Sequence, residues 1–235
     1  MLNLSYTPLE RLELPRPTDR VAWIAERCRS KAVLDLGCFD ETALVKEGTQ
    51  HWLHGRIAQV ARSVTGIDSS PKLPREGVVT GPLSRIIRGD VNALDEEMLR
   101  SVDVDVIVIG ELIEHLPDTV HFLRQLKELF PGRELIATTP NATSLANVLL
   151  GVLWRESTHE DHLQIYSYKT LHTHCLRAGF KAWTIIPYHV CFTEMILRSH
   201  GMKRFLVRAI ERLVNAVEYC LPMLSGGLIL HVTEL

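Results

Sequence analysis

This chain has no basic excess: 26 Lys and Arg stand against 28 Asp and Glu, a formal net charge of -2 over 235 residues. A dedicated nucleic-acid binder carries a basic surplus, so no such partner is expected. Paired cysteines are also missing. Cys28, Cys38, Cys175, Cys191 and Cys220 are odd in number and form no Cys-x-x-Cys. That argues against a zinc-thiolate site and a disulfide framework and points to reduced thiols. No apolar run approaches the ~20 residues of a spanning helix. Arg11, Glu13, Arg16, Asp19 and Arg20 interrupt the N-terminal stretch where a signal sequence would be apolar. A soluble, cytoplasmic chain without membrane contact is expected. Internal repeats and low-complexity tracts are absent.

Two phosphate-binding signatures are absent as well. The turn Gly37-Cys38-Phe39-Asp40-Glu41 puts bulky and acidic residues where a dinucleotide fold needs Gly-x-Gly-x-x-Gly, and no Gly-Lys-Ser/Thr follows a glycine-rich loop. A negative turn repels a pyrophosphate, so a dinucleotide is not expected.

What the chain does have is a series of short apolar runs ending on acids. Val33 to Cys38 carries Asp35 and breaks at Gly37. Val64 to Asp68, Ile86 to Asp90, and Val104 to Gly110 followed by Glu111 repeat the design. Further strands are expected at Leu135–Thr139, Phe180–Pro187 and Gly227–Thr233, seven in all. Helices are expected between them: from Thr18 or Asp19 to Arg29, His51 to Arg62, Asp95 to Arg100, Pro117 to Phe130, 144–153, and Ser167 to Gly179. Alternation of this kind predicts an α/β, Rossmann-like, doubly wound sheet, mostly parallel with an antiparallel last strand and helices on both faces. Residues 1–30 read as an N-terminal helical cover or lid, and 31–235 as the ligand-binding domain. An insert at about 189–225 separates the last two strands. In it Phe205, Leu206, Ala209, Ile210, Leu213, Val214 and Val217 make an apolar helical stripe. Arg204, Arg208, Glu211, Arg212, Asn215 and Glu218 make the opposite face. The stripe reads as core or as the seam of a homodimer. Attachment to a membrane surface is the weaker reading.

Acids lined along one sheet edge suit a ligand with hydroxyl, amino and cationic groups but no phosphate. Asp68 can accept two ribose hydroxyls, and Asp90 an adenine amino group beside the Val91 N–H. Asp35 and the turn at Gly37 and Cys38 can favour a cationic amino-acid end. That ligand is S-adenosylmethionine (SAM).

At this point the chain resembles the class I SAM-dependent methyltransferases over most of its length. Val33–Cys38, Thr65–Ser69 and Gly89–Asp90 look like their cofactor motifs. The block Glu111-Leu112-Ile113-Glu114-His115-Leu116-Pro117-Asp118 looks like the Glu-x-x-Glu-His O-methyltransferase subfamily that includes quinone O-methyltransferases. Thr139-Pro140-Asn141 and Asp161–Ser167 recur there too. The resemblance implies SAM held by Asp35, Gly37, Cys38, Asp68, Ser69, Asp90, Val91 and Glu111. The chain departs from it where Cys38-Phe39-Asp40-Glu41 replaces the usual Gly-x-Gly.

If Glu111 to His115 form one helical turn, Glu111, Glu114 and His115 share a side. Oxygen and nitrogen ligands with room for water suit Mg²⁺ or Mn²⁺. The block resembles the metal site of small-RNA 3′-end 2′-O-methyltransferases, whose fourth ligand is a later histidine: His162 first here, His159 second. The competing reading gives Glu111 to SAM and makes His115 a general base or a structural histidine. An alkyl hydroxyl must lose a proton to attack a methyl group, so His115 and Glu114 are the candidate catalytic pair and O-methylation is the expected chemistry. His51, Trp52, His54, Trp154 and His159 read as the rim of an acceptor site for a sugar or oligosaccharide hydroxyl. A phenolic, polyketide or quinone-precursor acceptor is the alternative. A SAM-binding protein without catalysis is the reading outside enzymology.

Overall fold

The computed structural model describes residues 4–39, 43–94, 97, 99 and 102–235. Asp40 and Glu41 of the first turn, and most of the expected 95–100 helix, lie outside them.

The strands are β1 (Ala32–Leu36), β2 (Ser63–Asp68), β3 (Val78–Gly81), β4 (Ser84–Arg88), β5 (Val106–Gly110), β6 (Glu134–Pro140), β7 (Thr184–Tyr188) and β8 (Gly227–Val232). The described α-helices are α1 (Arg20–Arg27), α2 (Ala43–Lys46), α3 (Leu53–Ala58), α4 (Thr119–Leu129), α5 (Leu145–Val152), α6 (Tyr168–Ala178), α7 (Thr193–Leu197) and α8 (Gly201–Cys220). One sheet runs in the order β3-β4-β2-β1-β5-β6-β8-β7. The five strands from β4 to β6 are parallel, and β8 is antiparallel to both its neighbours.

The sheet has eight strands where seven are expected. The addition is β3, antiparallel to β4 at the edge. Pro71, Pro74, Gly77, Gly81 and Pro82 make 71–82 look like a loop, yet Val78 to Gly81 and Ser84 pair across the two-residue turn Pro82-Leu83. Gly77 opens this hairpin at φ +82, and a Cβ there would strike the Ile86 carbonyl.

The central strands alternate between two cores. Leu34, Leu36, Ile107, Ile109 and Leu135 face Leu123 and Leu126 of α4 and Leu171 and Cys175 of α6. Val33, Val106, Val108 and Ile136 face Ile24 and Cys28, from α1 and its C-cap, and Ile57 of α3. Truncating such a side chain, Leu123→Ala for example, costs about 2–5 kcal/mol. The helix ends obey local rules. Asp19, Asp118 and Ser144 accept N–H groups at the starts of α1, α4 and α5, and a Ser167–Thr170 capping box starts α6, which Gly179 ends at φ 77. Before α1, Thr18 pairs with the end of β7: its N–H donates to Pro187 O, and His189 N–H donates to Thr18 O. This places Asp19 and Arg20 at the carboxyl edge of the sheet.

α7 and α8 fall in the expected 189–225 insert, also at the carboxyl edge. Of the two main readings of the α8 stripe, core does not hold, because most of the stripe faces outward. Glu211, Asn215 and Glu218 of the helix's polar side lie toward the protein with Val214 and Val217, while Arg208 and Arg212 are exposed. Phe205, Leu206, Ile210 and Leu213 of the apolar stripe are exposed. No helix among the described residues is long and apolar enough to cross a membrane.

Candidate functional site

Strand order brings the acidic tips together. β4, β2, β1 and β5 are consecutive neighbours, so Asp90, Asp68, Gly37 and Glu111 leave adjacent strands on one edge. At the tip of β2 the Asp68 carboxylate accepts the Phe39 N–H on one oxygen and the Ser70 N–H on the other, both at 2.8 Å. Asp90 is exposed and accepts the Asn92 N–H at 2.8 Å, with Val91 buried behind it and Ser69 exposed beside the tip of β2. Gly37 turns at φ +70, where an added Cβ would meet Leu112 at 3.0 Å. The departure from Gly-x-Gly is absorbed inward. Cys38 and Phe39 are buried and cluster with Ala43, Trp52, Leu73 and Ile86. These groups fit an adenosine: an acceptor at the second strand tip, an acid with a buried apolar neighbour after β4, and a turn without a side chain.

Asp35 does not join them. It lies inside β1, on the face shared with Val33, and is buried against α3. His54 is fully buried beside it, with Nδ1 2.9 Å from Asp35 Oδ2 and Nε2 2.9 Å from Thr80 Oγ1. A strand carries alternate side chains to opposite faces, and this face points Asp35 into α3 and away from the edge. The pair therefore corrects two expectations: Asp35 does not face the cationic end of a ligand, and His54 does not rim an acceptor site. Asp35, Cys38 and His54 have metal-ligand types within reach of one another, but both His54 nitrogens are already engaged.

Glu111 is held apart from the rest of its block. It takes a left-handed φ of 53, and only Ile113–His115 form a helical turn, a 3₁₀ one. The expected single turn over 111–115 is not made. The Glu111 N–H donates to Thr138 O and lies 3.1 Å from Thr138 Oγ1. Its carboxylate accepts the Tyr188 hydroxyl at 2.8 Å and pairs with Arg20 at 3.2 Å. Burial, and then the Glu111 charge, push the Tyr188 phenol well above its ordinary range. Neither Arg20 nor Tyr188 was expected at the site. Arg20 sits one residue past a helix cap and Tyr188 ends a strand that pairs last, so only the folded sheet joins them to Glu111.

Glu114, His115 and His162 do converge, each offering a ligand atom within 4.8 Å of the others. Glu114 is 1% exposed, and its carboxylate oxygens make no well-formed hydrogen bond, the buried Thr139 hydroxyl being the polar side chain beside them. Burial and the charge of Glu111 raise its pKa to about 8. The Glu114 carbonyl accepts the N–H groups of Leu163 and Gln164, which fastens the 159–164 loop over it. His115 Nδ1 lies 3.1 Å from the Asp161 carbonyl. A carbonyl only accepts, so Nδ1 carries the hydrogen. The His162 ring lies 4.6 Å from that of His115, and its pKa is lowered by burial and then by His115 and His159. The His159 ring is 5.7 Å from that of His162. Glu111 stands outside this group of ligand atoms, because its backbone turn and its bonds to Arg20 and Tyr188 direct it elsewhere. A buried carboxylate beside two imidazoles, without a well-formed hydrogen bond on either oxygen, fits a divalent cation.

A cavity of about 720 Å³ lies along the same edge. Arg20, His51, Glu111, Tyr188, Phe192 and Glu211 are among its lining residues. Of the expected acceptor rim, His51 lines it and His159 stands at the imidazole cluster. Trp52 is packed inside, donating Nε1–H to Cys38 O at 3.3 Å. Trp154, 97% exposed just past α5, lies outside the cavity.

An open, mostly parallel sheet with acids at neighbouring strand tips defines a Rossmann-like protein built to hold a nucleoside-type ligand at its carboxyl edge. Over residues 10–185 the sequence matches a methyltransferase domain family, and the chain belongs to that family. It is 35% identical over 121 residues to a Mycolicibacterium smegmatis protein named "probable S-adenosylmethionine-dependent methyltransferase", a match covering 50% of this chain and 41% of that relative. Its fold is similar to that of the small RNA methyltransferase HEN1, with a TM-score of 0.54 and 16% identity over 95% of this chain and 26% of that one. It is also similar to the YcgJ protein of Bacillus subtilis, with a TM-score of 0.50 and 13% identity over 92% of this chain and 98% of that one.

Proposed function

We propose that the chain is a SAM-dependent O-methyltransferase that modifies a hydroxyl of a sugar or oligosaccharide, with a divalent cation bound by Glu114, His115 and His162. The observation that carries this reading is the buried Glu114 carboxylate beside two imidazoles, without a well-formed hydrogen bond on either oxygen. Bound SAM supplies an electrophilic methyl group on sulfur, and Mg²⁺ or Mn²⁺ lowers the pKa of an alcohol it contacts.

The chain's own groups bind, orient and move a proton. Asp68 accepts the ribose hydroxyls, Asp90 and the Val91 N–H hold the adenine, and Glu111, fixed by Arg20 and Tyr188, keeps a negative charge near the sulfonium. The cavity beside Glu111 orients the acceptor. The acceptor proton leaves to the imidazole cluster that follows β5, with His115 and Glu114 the candidate groups. In-line displacement asks little more than this positioning.

Polar lining such as Gln50, His51, Thr193 and Asn215 supports a sugar. Val190, Phe192 and Met195 in the same wall favour a phenolic, polyketide or quinone-precursor ring as the second reading. An RNA acceptor stands behind both, since the net charge of -2 offers no phosphate-binding excess.

The test is methyl transfer from labelled SAM to sugar and phenol panels, with and without EDTA, alongside Mn²⁺ titration. Glu114→Gln should lower kcat by roughly 100-fold or more, abolish Mn²⁺ binding and leave SAM affinity unchanged. Turnover indifferent to EDTA would remove the metal from the proposal. Transfer to no hydroxyl, with SAM still bound, would leave a SAM-binding protein without catalysis.

A further inference from the structure

α8 is an amphipathic helix whose largest apolar side chains face outward. Its 20 residues span about 30 Å. The side against the protein mixes the half-buried Val207, Val214 and Val217 with acids that attach the helix. Glu211 accepts the Phe192 N–H at 2.6 Å. Glu218, 1% exposed, accepts the Val190 N–H at 3.1 Å and lies 2.9 Å from His189 Nδ1. At the far end the Arg16 guanidinium donates to the Tyr219 carbonyl. These bonds fix the rotation of the helix about its axis. Met202 (80%), Phe205 (68%), Leu206 (57%) and Leu213 (67%) are left exposed, with the exposed Ala209 between them and Ala216 beyond. An apolar strip of this length on a water-facing helix is a binding surface.

The charges around the strip select its occupant. Both acids of α8 are turned inward and used. The outward charges are Lys203, Arg208 and Arg212, which flank the strip and make no ion pair among the described residues. A two-fold pairing of copies through α8 would bring one positively charged helix against another with no acid of α8 to answer it. An anionic lipid surface matches both features, the apolar strip and its basic borders. α5 adds to the same character. None of its residues is buried, and Val152, Leu153 and Trp154 are exposed where it ends. It starts from the same corner of the sheet edge, where Asn141 and Thr143 bond the Met223 carbonyl just beyond α8. Tryptophan at such a tip suits the headgroup layer, with an apolar body and one N–H.

We propose that the protein docks on an anionic bilayer surface through the outward face of α8. α8 then lies in the headgroup region without spanning. Glu211 and Asn215 on its inner side line the 720 Å³ cavity, so the cavity sits one helix thickness, about 10 Å, from the lipid. The surface is independent of the methyl-transfer reading, since it rests on α8 alone.

Vesicle flotation of the full chain tests it, with phosphatidylcholine vesicles and with phosphatidylcholine–phosphatidylglycerol vesicles, each next to light scattering without lipid. The wild type should float with the anionic vesicles and bind the neutral ones at least about tenfold less. Phe205→Asp with Leu213→Asp should abolish flotation. Arg208→Glu with Arg212→Glu should lower it about tenfold or more on anionic vesicles. All four positions are solvent-facing, so circular dichroism melts should match the wild type. A wild type that stays at the bottom of the gradient overturns the proposal. So does flotation that survives both double substitutions. A dimer in free solution that Phe205→Asp with Leu213→Asp dissolves also overturns it, in favour of a second copy.

Discussion

The Asp68 carboxylate meets two demands at the tip of β2. It holds the Phe39 and Ser70 N–H groups, which sets the path of the turn leaving β1, and it is the acceptor proposed for a ribose. Hydrogen bonds to a charged group contribute about 1.5–3 kcal/mol each. Losing two to a ligand should therefore raise the dissociation constant of S-adenosylhomocysteine for Asp68→Ala by at least about 100-fold, read by calorimetry. Unchanged affinity would remove Asp68 from the ligand. Its place was legible in the sequence because an acid ending an apolar run lands at a strand tip. Asp35 follows the same pattern one strand earlier and was misread. Its turn begins two residues later, which leaves Asp35 inside the strand, and its partner His54 is a neighbour only once α3 packs on the sheet. The poorly bonded oxygens of Glu114 were not legible at all, since burial on every side is a property of the assembled fold.

Among the elements, β6 carries an ionic clasp that gives a pH signature. Glu134, at its first residue, lies 2.8 Å from His231 Nε2 on β8 and 2.6 Å from Lys31 Nζ ahead of β1. Burial alone would raise its pKa, but the bonds from His231 and Lys31 outweigh that and hold it at about 2, below the ordinary 4.5. A lowered carboxylate stabilises the fold fully above its unfolded pKa and loses that contribution as pH falls through the folded one. Glu134→Gln should therefore cost on the order of 1 kcal/mol at pH 7, after discounting for solvent screening. The gap to wild type should close between pH 4.5 and about 2 in denaturant titrations. A constant gap across that window would show that the clasp acts through packing alone. Elements with local signals, such as α1, α4 and α6 with their caps, were readable at this scale. β3 was not, because proline and glycine mask a strand of four residues. The orientation of α8 was not readable either. Periodicity says which residues share a side, while the inward bonds of Glu211 and Glu218 decide which side turns in.

Across the whole molecule, chemistry gathers at one edge. Asp68, Asp90, Gly37 and Glu111 leave four neighbouring strands there. The Glu114–His115–His162 cluster follows β5, and Arg20 and Tyr188 arrive from the N-terminal segment and β7. A parallel sheet produces this gathering because every strand delivers its carboxyl end to the same side, and that is why the general class could be read before the structure. The acceptor could not. The cavity proposed for it is walled by segments from residue 19 to residue 226, and no short motif records their meeting. The most direct measurement is a crystal structure of the protein grown with S-adenosylhomocysteine. Ribose hydroxyls should lie on the Asp68 carboxylate, adenine beside Asp90 and Val91, and the sulfur should face Glu111. Ligand density elsewhere, or none at saturating concentration, would contradict it.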